Sequence, residues 1–129
     1  ALLNGVSGNI TFIKSDLFEN IDREFDIIIA NPPYIARHEF EHLQKEVLME
    51  PRLALDGGED GLLFYRKIFN KAPRHLKSVG YFFGEIGCGQ RERIKEIVEK
   101  VGGFKLIDVK EDQYLIDRVI VAKRSETVG

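Results

Sequence analysis

Apolar and polar positions alternate along this chain with two periods, and the switches between them mark out an ordered series of elements. Asn9 to Lys14 (NITFIK) alternates β-branched and apolar residues and predicts a strand that stops near Ser15-Asp16. Phe25 to Ala30 (FDIIIA) is a nearly continuous apolar run halted by Asn31-Pro32-Pro33, as expected of a central parallel strand buried on both faces. Arg37 to Leu48 is charged, with Leu43 and Val47 at helical spacing, and predicts a helix. After the turn cluster Leu55 to Gly61 (LDGGEDG), Leu62, Tyr65, Phe69, Ala72 and Leu76 fall on one helical face, with Asp60 placed to cap its start. Pro73 should kink or split that helix. Tyr81 to Ile86 reads as the next strand, followed by a Gly87-Cys88-Gly89 turn. Ile94, Ile97, Val98 and Val101 then mark an amphipathic helix ended by Gly102-Gly103. Phe104 to Val109 and Arg118 to Lys123 close the chain as two strands. Their short link makes them antiparallel neighbours, because a parallel crossover needs about a dozen residues. Strands alternating with helices predict an α/β domain with a mostly parallel sheet and an antiparallel strand near the C-terminus.

Composition narrows the class without changing this outline. The chain has 129 residues, enough for one domain with a core, and is 43% hydrophobic and 31% charged. A formal net charge of -2 supplies no overall electrostatic footprint for nucleic acid. The single cysteine, Cys88, permits no intrachain disulfide, which suits a reducing cytoplasm. No apolar run approaches the length of a membrane span, so no membrane partner is expected.

The chemistry is concentrated in Asn31-Pro32-Pro33-Tyr34, at the carboxyl end of the most apolar strand, where open α/β sheets bind their ligands. Two prolines hold the backbone extended and remove two N–H donors, so the loop is suited to presenting carbonyl acceptors. The Asn31 side chain adds another carbonyl. Together these acceptors suit both hydrogens of a planar –NH2 group, and Tyr34 offers a flat face to cover it. A nitrogen held by its hydrogens aims its remaining electron density outward, the geometry for attack on an electrophilic methyl. The plainer reading of the tetrapeptide is a rigid turn; its place after a hydrophobic strand in an α/β pattern favours the functional one.

At this point the chain resembles the release-factor glutamine methyltransferases, the HemK/PrmC family. Ser15-Asp16-Leu17-Phe18-Glu19 resembles the family's acidic segment, and Phe25 to Ile35 its catalytic strand and loop. Glu50-Pro51-Arg52-Leu53-Ala54-Leu55, then Gly57-Gly58-Glu59-Asp60-Gly61-Leu62 and Tyr65-Arg66, resemble its most distinctive stretch. Glu85-Ile86-Gly87 with Gln90, and Asp117-Arg118-Val119, resemble later strands. The tetrapeptide alone is shared with adenine and guanine amino-methyltransferases of DNA and RNA.

The resemblance implies a partial Rossmann-like class I fold and an S-adenosylmethionine-dependent N5-glutamine methyltransferase. Its implied partner is a peptide-chain release factor, through the glutamine of a Gly-Gly-Gln tripeptide. Asn31 and the Pro32 carbonyl would bind the amide, with Pro33 in the same loop, and Tyr34 would pack on it. Asn31 would also border the cofactor. Asp16 would accept from the adenine amino group and Leu17 would lie against the ring. The plainer alternative for Asp16, ranked below the cofactor role, is a helix N-cap or a turn residue. The Glu50 to Gly61 segment is read as a brace for the loop more than as a catalytic element.

The chain departs from the family at its start. The glycine-rich cofactor turn, the acidic ribose ligand and the N-terminal helical domain belong before residues like Ala1 to Gly8. Residues 1–129 are therefore read as a single, truncated catalytic domain. Its cofactor site is expected to be incomplete, and the isolated chain to be inactive and prone to self-association. Two further patterns compete. Glu85 to Gly89, with Asp108 and Glu111 about 20 residues on, imitates a glycine-rich cofactor loop and would make a permuted enzyme. Asp16 already occupies the position that the unpermuted order requires. His38-Glu39-Phe40-Glu41-His42 matches the zinc-hydrolase pattern, but a solvated polar face accounts for it better and no metal is expected. Cys88 reads as a small filler. The Lys, Arg and Glu residues of Arg91 to Lys100 read as a solvated helix face. Two other functions remain open: methylation of exocyclic amines of nucleic-acid bases, and a non-catalytic association module.

Overall fold

A computed structural model describes residues 7–37, 39 and 56–125. Its elements are β1 (Phe25–Ala30), α1 (Leu63–Lys71), β2 (Leu76–Glu85), α2 (Arg91–Val101), β3 (Phe104–Glu111) and β4 (Asp117–Arg124). They form a four-stranded sheet in the order β1-β2-β4-β3. β1 runs parallel to β2, and β4 is antiparallel to both β2 and β3. The described sheet is thus mixed, with its parallel pair at one side and its antiparallel strands at the C-terminal end, as expected.

Both helices pack on one face of the sheet. Tyr65 and Phe69 of α1 and Ile94 and Val98 of α2 form one buried cluster with Phe82, Phe104, Ile120 and Ala122 of the strands. Phe69 sits edge-on to Phe82 at 5.0 Å and to Phe104 at 5.3 Å between ring centroids, a favoured aromatic geometry. The five residues predicted on one helical face, Leu62, Tyr65, Phe69, Ala72 and Leu76, are all buried, but only Tyr65 and Phe69 lie in α1: Leu62 precedes it, Ala72 belongs to the following 3-10 turn and Leu76 opens β2. Asp60 does not cap α1, whose N-cap is Leu62 with no side-chain cap; its Oδ1 instead accepts from the Leu62 N–H at 3.0 Å in the turn before the helix. Pro73 lies in a 3-10 turn, Ala72–Arg74, that ends the α-helical geometry. Gly102 and Gly103, at φ of 75° and 77°, close α2 in a backbone region that disfavours side chains.

Three expectations change. Asn9 to Lys14 is not a strand: a 3-10 turn covers Ser7–Asn9 and irregular backbone follows. Among the described residues no strand edge pairs with it, and Phe12 is 83% exposed. Alternation alone does not make a strand where nothing completes the ladder.

β1 is not central. Only β2 pairs with it among the described residues, so it forms an edge of the described sheet. Its apolar run is split between faces: Ile28 and Ala30 pack against the core, whereas Ile27 and Ile29 are exposed. The strand expected from Tyr81 begins earlier, at Leu76, because an irregularity separates the Phe25–Leu76 pair from the Ile27–Tyr81 pair. Val79, inside that irregularity, has φ 59°, a costly conformation for a β-branched residue. The helix expected over Arg37 to Leu48 lies outside the described residues, except for Arg37 and Glu39.

Candidate functional site

β1 and β2 run parallel, so their carboxyl ends bring Asn31 and Glu85 to the same side of the sheet. Asn31 emerges exposed, Pro32 is buried, and Pro33 and Tyr34 are partly buried. Among the described residues nothing bonds the Asn31 side chain or the Pro32 carbonyl.

Tyr34 is fixed at both ends. Its hydroxyl donates to Glu85 Oε1 at 2.8 Å, and its carbonyl accepts from Gln90 Nε2 at 2.9 Å. Burial, followed by the hydrogen bond to the Glu85 carboxylate, raises the phenol to about 12. The proton therefore stays on Tyr34 at neutral pH, and the ring serves as a held surface rather than as a base.

Residues 56–62 brace this loop from the other side. Ile35 and Asp56 form a parallel bridge, the Gly57 N–H donates to the Ile35 carbonyl at 2.9 Å, and the Arg37 N–H donates to the Gly58 carbonyl at 3.2 Å. A Cβ on Gly57 would lie 2.7 Å from the Tyr34 Cα. One on Gly61, where φ is +80°, would strike the Tyr34 carbonyl oxygen. The distinctive glycines of this stretch are thus required by the close approach of the Tyr34 backbone. The bracing role expected of the Glu50 to Gly61 segment fits its described part, Asp56 to Gly61.

Opposite the loop, Ser15 to Asn20 forms a turn stitched by its own side chains. Ser15 Oγ accepts from the Asn20 N–H at 2.9 Å, and Asn20 Nδ2 donates to the Lys14 carbonyl at 2.8 Å. Phe18 anchors the turn by stacking on His75, with centroids 4.6 Å apart and planes 6° from parallel. Asp16 is exposed at the head of the turn, its backbone carbonyl accepting from the Glu19 N–H at 3.2 Å.

A cleft of about 800 Å³ joins the two sides, lined by Asp16, Asn31 and Pro33 together with Ser15, Phe64 and Lys67. That volume suits a small-molecule site. Leu17, at φ 53°, packs against the core and lines an adjoining pocket of about 210 Å³ instead. The structure thus brings Asp16 and Asn31 to one cleft, sets Leu17 beside it, and turns Tyr34 toward Glu85.

Sequence reasoning missed Phe64 and Lys67, whose cleft-facing position depends on where α1 lies. It also assigned no role to Glu85 and Gln90. The strand-end rule, applied to the strand after the Asn31–Tyr34 loop as well as to the one before it, would have found Glu85. Of the competing patterns, the zinc-like motif lies outside the described residues apart from Glu39, and no group of metal-ligating side chains occurs among the described residues. Asp108 sits on β3, tied to Lys110 at 2.7 Å. Cys88 is exposed. No helix among the described residues is long and apolar enough to cross a membrane.

This sheet belongs to the class I methyltransferase fold, as solved structures show. A methyltransferase from Pyrococcus furiosus superposes with a TM-score of 0.58 at 20% identity, covering 82% of this chain and 44% of that one. The release factor-specific protein-(glutamine-N5) methyltransferase from Alicyclobacillus acidocaldarius superposes with a TM-score of 0.51 at 27% identity, covering 84% and 54%. By sequence the chain is similar to release factor glutamine methyltransferases over the stretch it spans. It is 41% identical over 128 residues to the release factor glutamine methyltransferase of Thermodesulfovibrio yellowstonii, covering 98% of this chain and 45% of that protein. To that of Fusobacterium nucleatum it is 39% identical over 127 residues, covering 96% and 35%. The chain thus spans less than half the length of these relatives. No family model matches it.

Proposed function

We propose that this chain supplies the acceptor loop and part of the cofactor cleft of an S-adenosylmethionine-dependent glutamine N5-methyltransferase acting on a peptide-chain release factor. The observation that carries the reading is the cleft shared by Asn31 and Asp16, with Pro32 beside it and Tyr34 held against Glu85. The donor set fits the cofactor: an exposed carboxylate at Asp16 suits an exocyclic adenine amino group, with Leu17 on the neighbouring wall.

When bound, S-adenosylmethionine supplies an already activated methyl group, so no strong base is required before transfer. Asn31 Oδ1 and the Pro32 carbonyl accept the two amide hydrogens of the substrate glutamine. Pro33 keeps the loop extended, and the Tyr34 ring covers the amide plane. The nitrogen lone pair is thereby aimed along one line, which contributes several kcal/mol by orientation. Held this way, the nitrogen would take the methyl group that the cofactor supplies, and the amide proton would leave afterwards to the solvent side, where Asn31 is exposed. Tyr34 does not take it, since its hydroxyl is already a donor to Glu85.

The test is methyl transfer from labelled cofactor, in a protein of the relatives' full length carrying this sequence. A release factor or Gly-Gly-Gln peptide should be labelled on glutamine, and a Gly-Gly-Asn peptide should not. Labelling of an adenine- or guanine-containing oligonucleotide instead would replace this reading with that of a base amino-methyltransferase. Labelling of neither, with no cofactor binding, would leave an association module. A reducing cytoplasmic setting follows from the proposed partner and suits the lone Cys88.

A further inference from the structure

Gln90 is the buried polar side chain among the described residues, 9% exposed. A buried amide is costly unless its hydrogen bonds are made, and here they are. Oε1 accepts from the Gly87 N–H at 2.9 Å. Nε2 donates to the Tyr34 carbonyl at 2.9 Å and to the Gly61 carbonyl at 3.5 Å. One side chain therefore ties together the segment after β1, the turn before α1 and the turn after β2. Gly87 permits this closeness: a Cβ there would lie 3.0 Å from the Tyr34 ring and 3.2 Å from the Gln90 amide.

Glu85, at the end of β2, completes the frame from the other end of Tyr34. Its carboxylate takes the phenol hydroxyl, and its own backbone carbonyl accepts from the buried Tyr65 hydroxyl. The phenol is thus anchored through Glu85 to the aromatic core, while the Tyr34 backbone is anchored through Gln90 to two loops.

We propose that Glu85 and Gln90 are positioning residues for methyl transfer, Glu85 fixing the tilt of the Tyr34 ring and Gln90 the height of the Tyr34 backbone above the sheet. Neither need touch the reacting atoms. Both act through Tyr34, and the proposal rests on the reading of Asn31–Tyr34 as the acceptor loop. A shift of about 1 Å in such a loop costs on the order of a hundredfold in rate.

The test uses the full-length protein carrying this sequence, four single variants and one double variant. Glu85→Ala and Gln90→Glu each remove one tie; Gln90→Glu keeps the shape but loses both Nε2 donors. Glu85→Gln retains an acceptor for the phenol. Tyr34→Phe removes the hydroxyl that Glu85 holds. Glu85→Ala and Gln90→Glu should lower kcat at least about tenfold with cofactor affinity unchanged. Glu85→Gln should recover most of that turnover. Glu85→Ala combined with Tyr34→Phe should be no worse than either alone, because both cut the same contact. Wild-type turnover in Glu85→Ala and Gln90→Glu would overturn the proposal. So would a loss that Glu85→Gln fails to recover and that also weakens cofactor binding, since that pattern belongs to general unfolding.

A second readout needs no turnover. The ζ-carbon resonance of Tyr34 should titrate near 12 in the wild type and at lower pH in Glu85→Ala, with burial, the larger cause, still raising it. An unmoved titration would also overturn the proposal. If the wild type methylated no glutamine at all, the reading of the loop would fall, and the titration would still decide whether Glu85 holds the ring.

Discussion

The Tyr65 hydroxyl donates to the backbone carbonyl of Glu85, so the residue that holds Tyr34 is itself held by the core of α1. Tyr65 is fully buried and packs edge-on to Phe82 at 6.5 Å. Removing the hydroxyl leaves the Glu85 carbonyl without this donor. Tyr65→Phe should therefore destabilise the fold by about 1–2 kcal/mol, as a lost buried hydrogen bond does, and lower turnover beyond that. Urea denaturation followed by circular dichroism, alongside methyl-transfer kinetics, checks both.

Asn31 carries the orienting role in the proposed reaction. Asn31→Ala should reduce kcat by roughly two orders of magnitude while cofactor affinity stays within a few-fold. Steady-state kinetics with a release factor, combined with calorimetric titration of cofactor, separates the two. Near-normal turnover would remove Asn31 from the mechanism.

Gly61 and Gly89 allow strain and crowding to be told apart. Both have φ +80°, but a Cβ on Gly89 meets nothing within 4 Å, whereas one on Gly61 strikes the Tyr34 carbonyl and comes within 2.8 Å of Gln90 Nε2. Gly89→Ala should cost about 1–3 kcal/mol, the backbone strain alone. Gly61→Ala should cost clearly more and should also lower turnover. Equal costs for the two would mean that the braced loop yields freely.

The Asp60–Arg66 pair makes an acid-side prediction. The hydrogen bond from Arg66 holds the Asp60 carboxyl down at about 2, from an ordinary value of 3.8. A depressed folded-state pKa stabilises above the unfolded value and loses that contribution as pH falls through the folded one. Stability from this pair is therefore complete above about pH 4 and lost toward pH 2. The pair is partly exposed, so the effect is modest. Thermal melts across that range should fall more steeply in the wild type than in Asp60→Asn.

Ile27 and Ile29 are 54% and 79% exposed on a strand whose outer edge is unpaired among the described residues. Such an edge pairs readily with another chain. Sedimentation equilibrium of residues 1–129 should show a mass that rises with concentration, and Ile29→Lys should suppress the rise. A monomer at every concentration would count against this.

The sequence showed most clearly those elements whose signal is local. α1 and α2 follow a helical apolar stripe that faces one sheet, and the glycines after α2 end it. The loop at Asn31 was legible because two prolines cannot be absorbed into a strand. What was not legible depends on neighbours. Phe25–Ala30 has the composition of a central strand, yet its burial is set by what lies beside it, and Ile29 is exposed. Asn9–Lys14 alternates like a strand but meets no ladder. Gln90 carries no pattern around it, because its three partners come from segments up to 56 residues away. Glycines 57, 61 and 87 read as turn residues; that all three make room for one tyrosine is a fact of three-dimensional packing.

The strand order has a consequence for synthesis. A chain leaves the ribosome from its amino end at about 5–20 residues per second. Of the four strands, Asp117–Arg124 emerges last, yet it lies between two made before it. Until it arrives, β2 and β3 have no partner in each other, and the Ile86 N–H lacks the Arg118 carbonyl that it meets at 2.8 Å in the finished sheet. The end of β2, and with it the anchor for Tyr34, therefore settles only after the last strand has slotted in. A nascent chain stalled before residue 117 would carry the Asn31–Tyr34 loop on a half-built sheet, with the edges of β2 and β3 that β4 later fills open to chaperones or to its neighbours on the same message.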